Sequence, residues 1–249
     1  MPDAVAQPEA SAAPLNEIQR VVDTFVAPTK TFTDVLRSSS WWLPWLIGVL
    51  VSLAFGYAVQ QKIGWEKVTE NIVRQSPAQM QRIQQLPADQ QAKALAFSAT
   101  ITKSIFWATP VVALILALIC AGVLMATINF GFGGRAKFGQ MFAVWFYATL
   151  PWSVQGLLGI VTIYAGVDPD SFNLKNFVAT NIGYIMPPDM PHWLIALGTA
   201  LDATTIWSLI LLTIGCAIIG KVKKGQAATA VFGWWVLTVA LKVVAAMFS

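Results

Sequence analysis

Two apolar runs joined by a very short turn limit how this chain can fold. Val111–Phe130 and Met141–Ala165 carry no charged residue, and the second run is broken only by Pro151 and Gln155. A helix of about 20 apolar residues is long enough to cross a hydrocarbon core of roughly 30 Å. The turn Gly133-Gly134-Arg135-Ala136-Lys137-Phe138 leaves so little chain between the runs that they must form an antiparallel helical hairpin. We therefore expect a chain that folds within a membrane.

The composition extends this expectation to the whole chain. Of the 249 residues, 56% are hydrophobic and 11% are charged, whereas a soluble domain carries about 25% charged residues. Only helices and closed barrels satisfy their backbone polar groups in a bilayer, and the long apolar runs exclude the alternating segments of a barrel. We predict an all-α polytopic membrane protein with five transmembrane helices. They are expected at about 41–59, 107–130, 138–165, 193–219 and 227–248.

Three further segments complete the predicted organisation. Residues 1–14, rich in Ala and Pro, are expected to form a disordered tail before a five-helix membrane domain at 38–249. Residues 15–37 are expected to form a cytoplasmic amphipathic segment at the membrane interface, in which Thr31 and Asp34 fit a capping box. Its apolar face would carry Leu15, Ile18, Val22 and Phe25, opposite Glu17, Arg20 and Asp23. Residues 60–104 are expected to form an extracytoplasmic loop of two or three amphipathic helices.

The short loops predict the orientation. The second and fourth loops carry cations and no acid, whereas the third loop, Gly166–His192, has one lysine against three aspartates. The positive-inside tendency then places the N-terminus in the cytoplasm and the C-terminus outside, in the cell (inner or plasma) membrane. The six cations of residues 60–104 oppose this, but long loops count for less. The topology determinants are Gly133, Gly134, Arg135, Lys137, Lys221, Lys223 and Lys224.

Two charged residues fall inside predicted spans, where ionisable groups are by default functional candidates. Asp202 lies roughly 14 Å into the fourth span and Lys242 roughly 10 Å from the end of the fifth. They could pair across neighbouring helices and serve an ion or proton relay. Alternatively, Asp202 caps a span that begins at Ala203, with 193–201 a separate interfacial helix, and Lys242 snorkels outward.

Enzymatic and nucleic-acid functions find little support in the residues. The single His192 and the two cysteines, Cys120 and Cys216, fit no metal site or catalytic constellation, so we predict neither an enzyme nor a cofactor. The net charge of +4 comes from cations that flank apolar runs, which argues for lipid headgroups rather than nucleic acid. The Gly131–Arg135 stretch lacks the spacing of a phosphate-binding loop.

Several short stretches, in order, resemble the Yip-domain (Ypt/Rab-interacting protein) family, in its bacterial branch. The resemblance covers about residues 18–245, and its weak individual motifs gain specificity from their order and spacing. The matching stretches are Val22-Asp23-Thr24-Phe25, Ala27-Pro28-Thr29-Lys30-Thr31-Phe32, Ser40-Trp41-Trp42-Leu43-Pro44, Gly133-Gly134-Arg135-Ala136-Lys137-Phe138, Tyr147-Ala148-Thr149-Leu150-Pro151, Leu201-Asp202-Ala203-Thr204-Thr205-Ile206-Trp207-Ser208, Ile214-Gly215 and Lys221-Val222-Lys223-Lys224-Gly225.

The resemblance implies five membrane helices, a cytoplasmic N-terminus and a non-enzymatic role. Eukaryotic relatives bind prenylated small GTPases and act in vesicle traffic and membrane shaping. This chain lacks their DLYGP motif, with only Pro44-Trp45 near that place, so we do not expect small-GTPase binding. We predict a protein that organises the bilayer or recruits a membrane-protein partner or a second copy. The alternatives are a small transporter or channel component that uses Asp202 and Lys242, and a subunit of a larger complex.

Overall fold

The computed structural model describes residues 14–187 and 190–247, and within these ranges no β-strand forms. The predicted tail at 1–14 lies outside the described residues except for Pro14. The helices are α1 Glu17–Val26, α2 Pro28–Val35, α3 Trp42–Lys62, α4 Trp65–Arg74, α5 Pro77–Gln84, α6 Ala88–Trp107, α7 Thr109–Ala126, α8 Phe138–Ala148, α9 Leu150–Tyr164, α10 His192–Ala200, α11 Ala203–Gly220 and α12 Lys224–Met247.

Five helical stretches of the described chain are long and apolar enough to cross a membrane, which confirms the predicted number. They are α3, α7 with its π-helical extension Thr127–Gly131, α8 together with α9, α11 and α12. Pro110 and Pro151 each stand in the first turn of a new helix. Proline is tolerated there because the first backbone N–H groups of a helix have no intrahelical partner.

The fourth span is shorter than predicted. Residues 193–219 form two helices rather than one, because the backbone leaves the helical conformation at Leu201 and Asp202. Asp202 then caps a new helix, so the span itself is Ala203–Gly220. Its 18 residues give a length of about 27 Å. The separate α10 packs along α12.

The two basic turns meet at one end of the helix bundle. The backbone N–H of Arg135 donates to the carbonyl of Gly220 at 3.1 Å, which supplies a partner at the C-terminus of α11. The side chain of Asn129 accepts from the Ala136 N–H at 2.8 Å and donates to the Ala136 carbonyl at 2.9 Å. Gly133 has φ +69°, a left-handed conformation that suits glycine. We call this end of the bundle the basic-turn end.

Helix α8 lies at the centre of the larger core. Most of its side chains are buried, including Met141, Val144 and Tyr147, and its neighbours are α2, α7 and α11. Alanine and glycine allow these helices to approach closely, as at Gly215, which faces Val144 and Phe32.

A second core occupies the opposite end of the bundle, which we call the far end. It joins α3, α4, α9 and the loop after α9 through Phe55, Trp65, Ile163 and Phe172. Asn71 of α4 fastens this loop by donating to the carbonyls of Pro169 and Phe172, both at 2.9 Å.

Three helices, α4, α5 and α6, fill most of the 60–104 segment. Their number agrees with the prediction. Lys67 of α4 forms ion pairs with Asp170 in the loop after α9 and with Glu70 on its own helix. The first and third loops therefore contact each other at the far end.

Replacing Gly134 by alanine tests the contact between the basic turns. We expect Gly134→Ala to lower the free energy of unfolding by about 1–3 kcal/mol, because its Cβ would lie 2.9 Å from the Ile128 carbonyl oxygen and 3.0 Å from that of Gly220. Neither backbone atom can yield without separating the turns. Unfolding of the purified protein by SDS in mixed micelles, followed by tryptophan fluorescence, measures the change.

Gly225→Ala is the matched control, because a Cβ at Gly225 in α12 meets nothing within 4 Å. It should leave stability unchanged or raise it by up to about 1 kcal/mol through helix propensity. Equal losses in the two variants would show that the close approach at Gly134 carries no stability.

Candidate functional site

Helices α1 and α2 form a short helical hairpin before the first span. Asn16 caps α1 by accepting from the Gln19 N–H at 2.8 Å, while the Gln19 side chain accepts from the Asn16 N–H at 3.0 Å. Pro28 begins α2 directly after the connecting Ala27. We call residues 15–37 the N-terminal hairpin. The predicted capping box at Thr31 and Asp34 is wrong, because α2 has already begun and both side chains contact Arg20 instead.

Helix α1 turns polar side chains towards the bundle and a stripe of three apolar side chains away from it, whereas α2 buries its own apolar side chains in the core. Arg20 is 1% exposed and Thr24 is fully buried, whereas Ile18, Val22 and Val26 are 71%, 54% and 74% exposed. The predicted apolar face is exposed only in part, because the ring of Phe25 packs against Trp207 with the ring centroids 5.3 Å apart. Arg20 of the predicted charged face contacts the bundle. An exposed apolar stripe on a rigid helix is a surface suited to lipid or to another apolar partner.

The buried Arg20 is the centre of a polar group that we call the arginine cluster, made of Glu17, Arg20, Asp34, Arg37 and Tyr147. The Nε and Nη2 atoms of Arg20 both lie 2.6 Å from Oδ2 of Asp34. Arg37 binds the same carboxylate from the exposed side, with its Nε 2.9 Å from Oδ1. The Tyr147 hydroxyl donates to Oε2 of Glu17 at 3.1 Å. The cluster thus connects α1, α2 and the central α8.

The backbone of Arg20 strengthens the same junction. Its carbonyl accepts from the hydroxyl of Thr24 at 2.7 Å and from the hydroxyl of Thr31 at 2.9 Å. Thr31 belongs to α2, so this single carbonyl links the two helices of the hairpin. All three residues are buried.

Asp34 and Arg20 of the arginine cluster each favour the ionised form of the other. Burial acts to raise the pKa of Asp34, but hydrogen bonds from Arg37 and Arg20 outweigh it and hold the pKa below its ordinary value. Burial likewise acts to lower the pKa of Arg20, and its contacts with Asp34 and Tyr147 raise the pKa instead. The pair is therefore ionised at neutral pH. This role of Arg20 is not predicted from the sequence, because helical periodicity only places Arg20 on the charged face of an amphipathic helix.

Asp202 is the centre of a second polar cluster, at the start of α11. Its Oδ1 accepts from the backbone N–H of Thr204 at 2.9 Å, from the Thr204 hydroxyl at 2.5 Å and from the Thr205 N–H at 3.1 Å. These bonds satisfy N–H groups that a helix leaves without an intrahelical partner. Asp202 is therefore the N-cap of α11, as one of the two sequence interpretations proposed.

The other carboxylate oxygen of Asp202 binds three different side chains. Oδ2 accepts from Gln155 Nε2 at 3.2 Å, from the Thr180 hydroxyl and from Asn181 Nδ2 at 3.4 Å. The backbone N–H of Ala203 also donates to the Thr180 carbonyl at 2.9 Å. Asp202 thus joins α9, the loop after α9 and α11 at the far end, and the donors around it match a charged carboxylate.

The structure does not pair Asp202 with Lys242. No ion pair found within residues 14–187 and 190–247 joins the two, and the Asp202 oxygens are occupied by the donors above. Lys242 instead lies on the exposed side of α12 and lines an apolar cavity of about 860 Å³. The two candidates from the sequence therefore belong to separate environments.

The predicted topology determinants come together in the structure. The turn with Gly133, Gly134, Arg135 and Lys137 contacts the end of α11, immediately before the turn with Lys221, Lys223 and Lys224. Lys221 itself takes a left-handed conformation with φ 54° as the residue that ends α11.

Metal chemistry finds no support in the described part of the chain. Residues 14–187 and 190–247 contain no group of three or more His, Cys, Asp or Glu side chains that could hold a metal ion. Cys216 is buried, with its sulfur 3.6 Å from that of Met141. Such an arrangement is that of a packing residue.

Comparison with known proteins assigns this architecture to a family. The chain matches the family model described as Yip1 domain over residues 22–247. The chain belongs to the Yip1-domain family. It is a multi-pass membrane protein, and the range matched to the Yip1 domain includes Asp34, Tyr147, Asp202 and Lys242. No curated protein and no solved structure matches it.

Removing the buried guanidinium should destabilise this Yip1-domain chain far more than removing the exposed one beside it. We expect Arg20→Met to cost about 3–5 kcal/mol of unfolding free energy, because it leaves the Asp34 carboxylate without its buried partner. Arg37→Met removes a cation from the same carboxylate, but Arg37 is 52% exposed, so its loss should cost less than about 1 kcal/mol. SDS unfolding in mixed micelles compares the two, and equal losses would contradict the role assigned to burial.

The Asp34 carboxylate should also make stability depend on acidity. Its pKa lies below the ordinary 3.8 in the folded protein, so its contribution is present above pH ~4 and is lost as the pH falls through the folded value. The difference in unfolding free energy between the wild type and Asp34→Asn should be constant near neutral pH and shrink below pH ~4. A difference that stayed constant down to pH ~2 would show that Asp34 is not the titrating group.

Proposed function

We propose that this protein shapes or organises the bilayer by holding the apolar side of α1 in the headgroup layer at the basic-turn end. The observation that carries the proposal is the outward stripe of Ile18, Val22 and Val26 on a helix whose charged side is fixed to the bundle. An amphipathic helix held this way displaces lipid headgroups and occupies about the outer 5–10 Å of one leaflet. Area added to one leaflet alone favours curvature.

The N-terminal hairpin lies along the side of the bundle. Tyr147, which contacts Glu17, is nine residues after the start of the α8–α9 span and therefore about 13 Å along it. Phe25 contacts Trp207, which is 13 residues before Gly220 and therefore about 20 Å from the end of α11. The hairpin thus packs against the membrane-spanning helices rather than standing apart in water.

The charges around the hairpin suit an anionic surface. Lys30 and Arg37 are exposed on it, and the basic turns at the same end add Arg135, Lys137 and the lysines of the fourth loop. Each cation near an anionic leaflet contributes about 1 kcal/mol of attraction. By the positive-inside tendency this end is cytoplasmic, which gives a cytoplasmic N-terminus and an extracytoplasmic C-terminus in the cell membrane.

A helix that is fixed to the bundle acts on the bilayer differently from a loosely tethered helix. The arginine cluster and the two threonine hydroxyls fix the rotation of α1, so its apolar stripe keeps pointing away from the bundle. The entropic cost of orienting α1 is then part of folding, so it does not have to be met again at each contact with lipid. The same surface could recruit an apolar partner protein, which would be a non-catalytic role as well.

The test replaces the stripe without touching the arginine cluster. The full chain with Ile18→Ser, Val22→Ser and Val26→Ser is reconstituted into vesicles that contain anionic phospholipid, and vesicle diameters are measured by electron cryomicroscopy. We expect wild-type protein to shift the vesicles towards small or tubular shapes in proportion to its density. The triple serine variant should lose most of this shift.

A matched variant with leucine at the same three positions keeps the apolar stripe and should keep the activity. SDS unfolding of both variants verifies that the arginine cluster is intact. If the serine variant folds normally and reshapes vesicles as well as the wild type does, the apolar stripe is not the source of the activity. If the wild type itself leaves vesicle shape unchanged, the bilayer-shaping proposal is wrong.

A further inference from the structure

An elongated apolar cavity lies between α3, α7, α8–α9 and α12. Its volume is about 860 Å³, within the range of small-molecule sites. Side chains such as Val51, Leu116, Leu150 and Phe177 form its wall. Thr109, Thr149 and Thr238 also line it, but their hydroxyls donate to backbone carbonyls three or four residues earlier in the chain. Ser52, Ser153 and the indole of Trp45 add further polar groups without charge, but the wall is mostly apolar.

The cavity runs along the helices rather than across them. On α3 the lining residues extend from Pro44 to Phe55, and on α7 they extend from Thr109 to Cys120. Each stretch covers about 16 Å at the helical rise, close to half of a hydrocarbon core of roughly 30 Å. The adjacent surface of α7 is exposed at Val112 and Leu116, so the cavity opens towards the lipid.

The chemistry of the cavity wall restricts what can occupy it. The wall is mostly apolar, opens towards the lipid and carries a single charged side chain, Lys242. A flexible hydrocarbon chain needs no hydrogen bonds from the wall and can lie along the cavity.

Lys242 is the one charged residue among those that line the cavity. It lies 18 positions after Lys224 on α12, about 27 Å from the basic-turn end, and thus in the leaflet of the far end. No hydrogen bond or ion pair of Lys242 is found within residues 14–187 and 190–247. An ammonium group at this depth calls for an anion or a path to the headgroup layer, and its four-carbon stem can reach outward.

We infer that the cavity is a phospholipid site, in which an acyl chain from the far-end leaflet fills the slot and Lys242 binds the anionic headgroup. The apolar wall that opens towards the lipid favours a hydrocarbon chain, and the single cation beside it favours a negatively charged headgroup. A charge-assisted contact of this kind favours an anionic lipid over a zwitterionic lipid with the same chains. This site is independent of the N-terminal hairpin and lies in the opposite leaflet.

Native mass spectrometry of the full chain in a mild detergent tests the site. The protein is titrated with phosphatidylglycerol and, separately, with phosphatidylcholine of identical acyl chains. We expect one phosphatidylglycerol to bind about tenfold more tightly than phosphatidylcholine, the effect of one charge-assisted contact. Lys242→Gln should remove this preference, and Lys242→Arg should retain it.

Two further variants separate the headgroup contact from the slot. Lys103→Gln, which removes an exposed lysine of α6 outside the cavity, should leave the preference unchanged. Ala113→Phe places a ring in the slot from α7 and should weaken both lipids equally. The inference is overturned if the wild type binds both lipids alike, if Lys103→Gln acts as Lys242→Gln does, or if removal of lipid yields a dimer in which the cavity is covered.

Discussion

Backbone polar groups have no water to bind inside a bilayer, so every helix end at membrane depth needs a partner from the protein itself. Asp202 meets that need at the start of α11, and the two basic turns satisfy backbone groups in the same way at the basic-turn end of the bundle. Asp202 receives the first N–H groups of α11, Arg135 donates its N–H to the last carbonyl of the same helix, and Asn129 binds both backbone groups of Ala136. The spans can therefore break and turn where the fold requires it, and polar residues that resemble functional groups in the sequence act as connectors.

The arginine cluster applies the same rule to side chains. A buried guanidinium is costly unless it is paired and hydrogen-bonded, and that of Arg20 has partners on α1, α2 and α8 in Glu17, Asp34 and Tyr147. The cost of burying the pair is a reason to regard it as a device for orientation more than for stability, because it fixes which side of α1 faces outward. The exposed stripe at Ile18, Val22 and Val26 follows from that choice.

The two features that we propose to contact lipid differ in kind. The N-terminal hairpin presents a convex apolar stripe surrounded by cations at the basic-turn end, whereas the cavity beside Lys242 is a concave slot nearer the far end. We propose that the stripe adds area to its leaflet and that the cavity holds a lipid, both in a chain of the Yip1-domain membrane family.

The sequence by itself determined the all-helical class, the number of spans and the hairpin around Gly133–Phe138, because apolar length and turn residues are local properties of the chain. It left open whether Asp202 caps a helix, since Gln155 and Thr180 reach it only after distant segments pack together. Only the tertiary structure decided that Arg20 faces inward, because helical periodicity defines two faces without saying which neighbour each will meet. The cavity beside Lys242 likewise exists only between helices, so no single stretch of sequence encodes it.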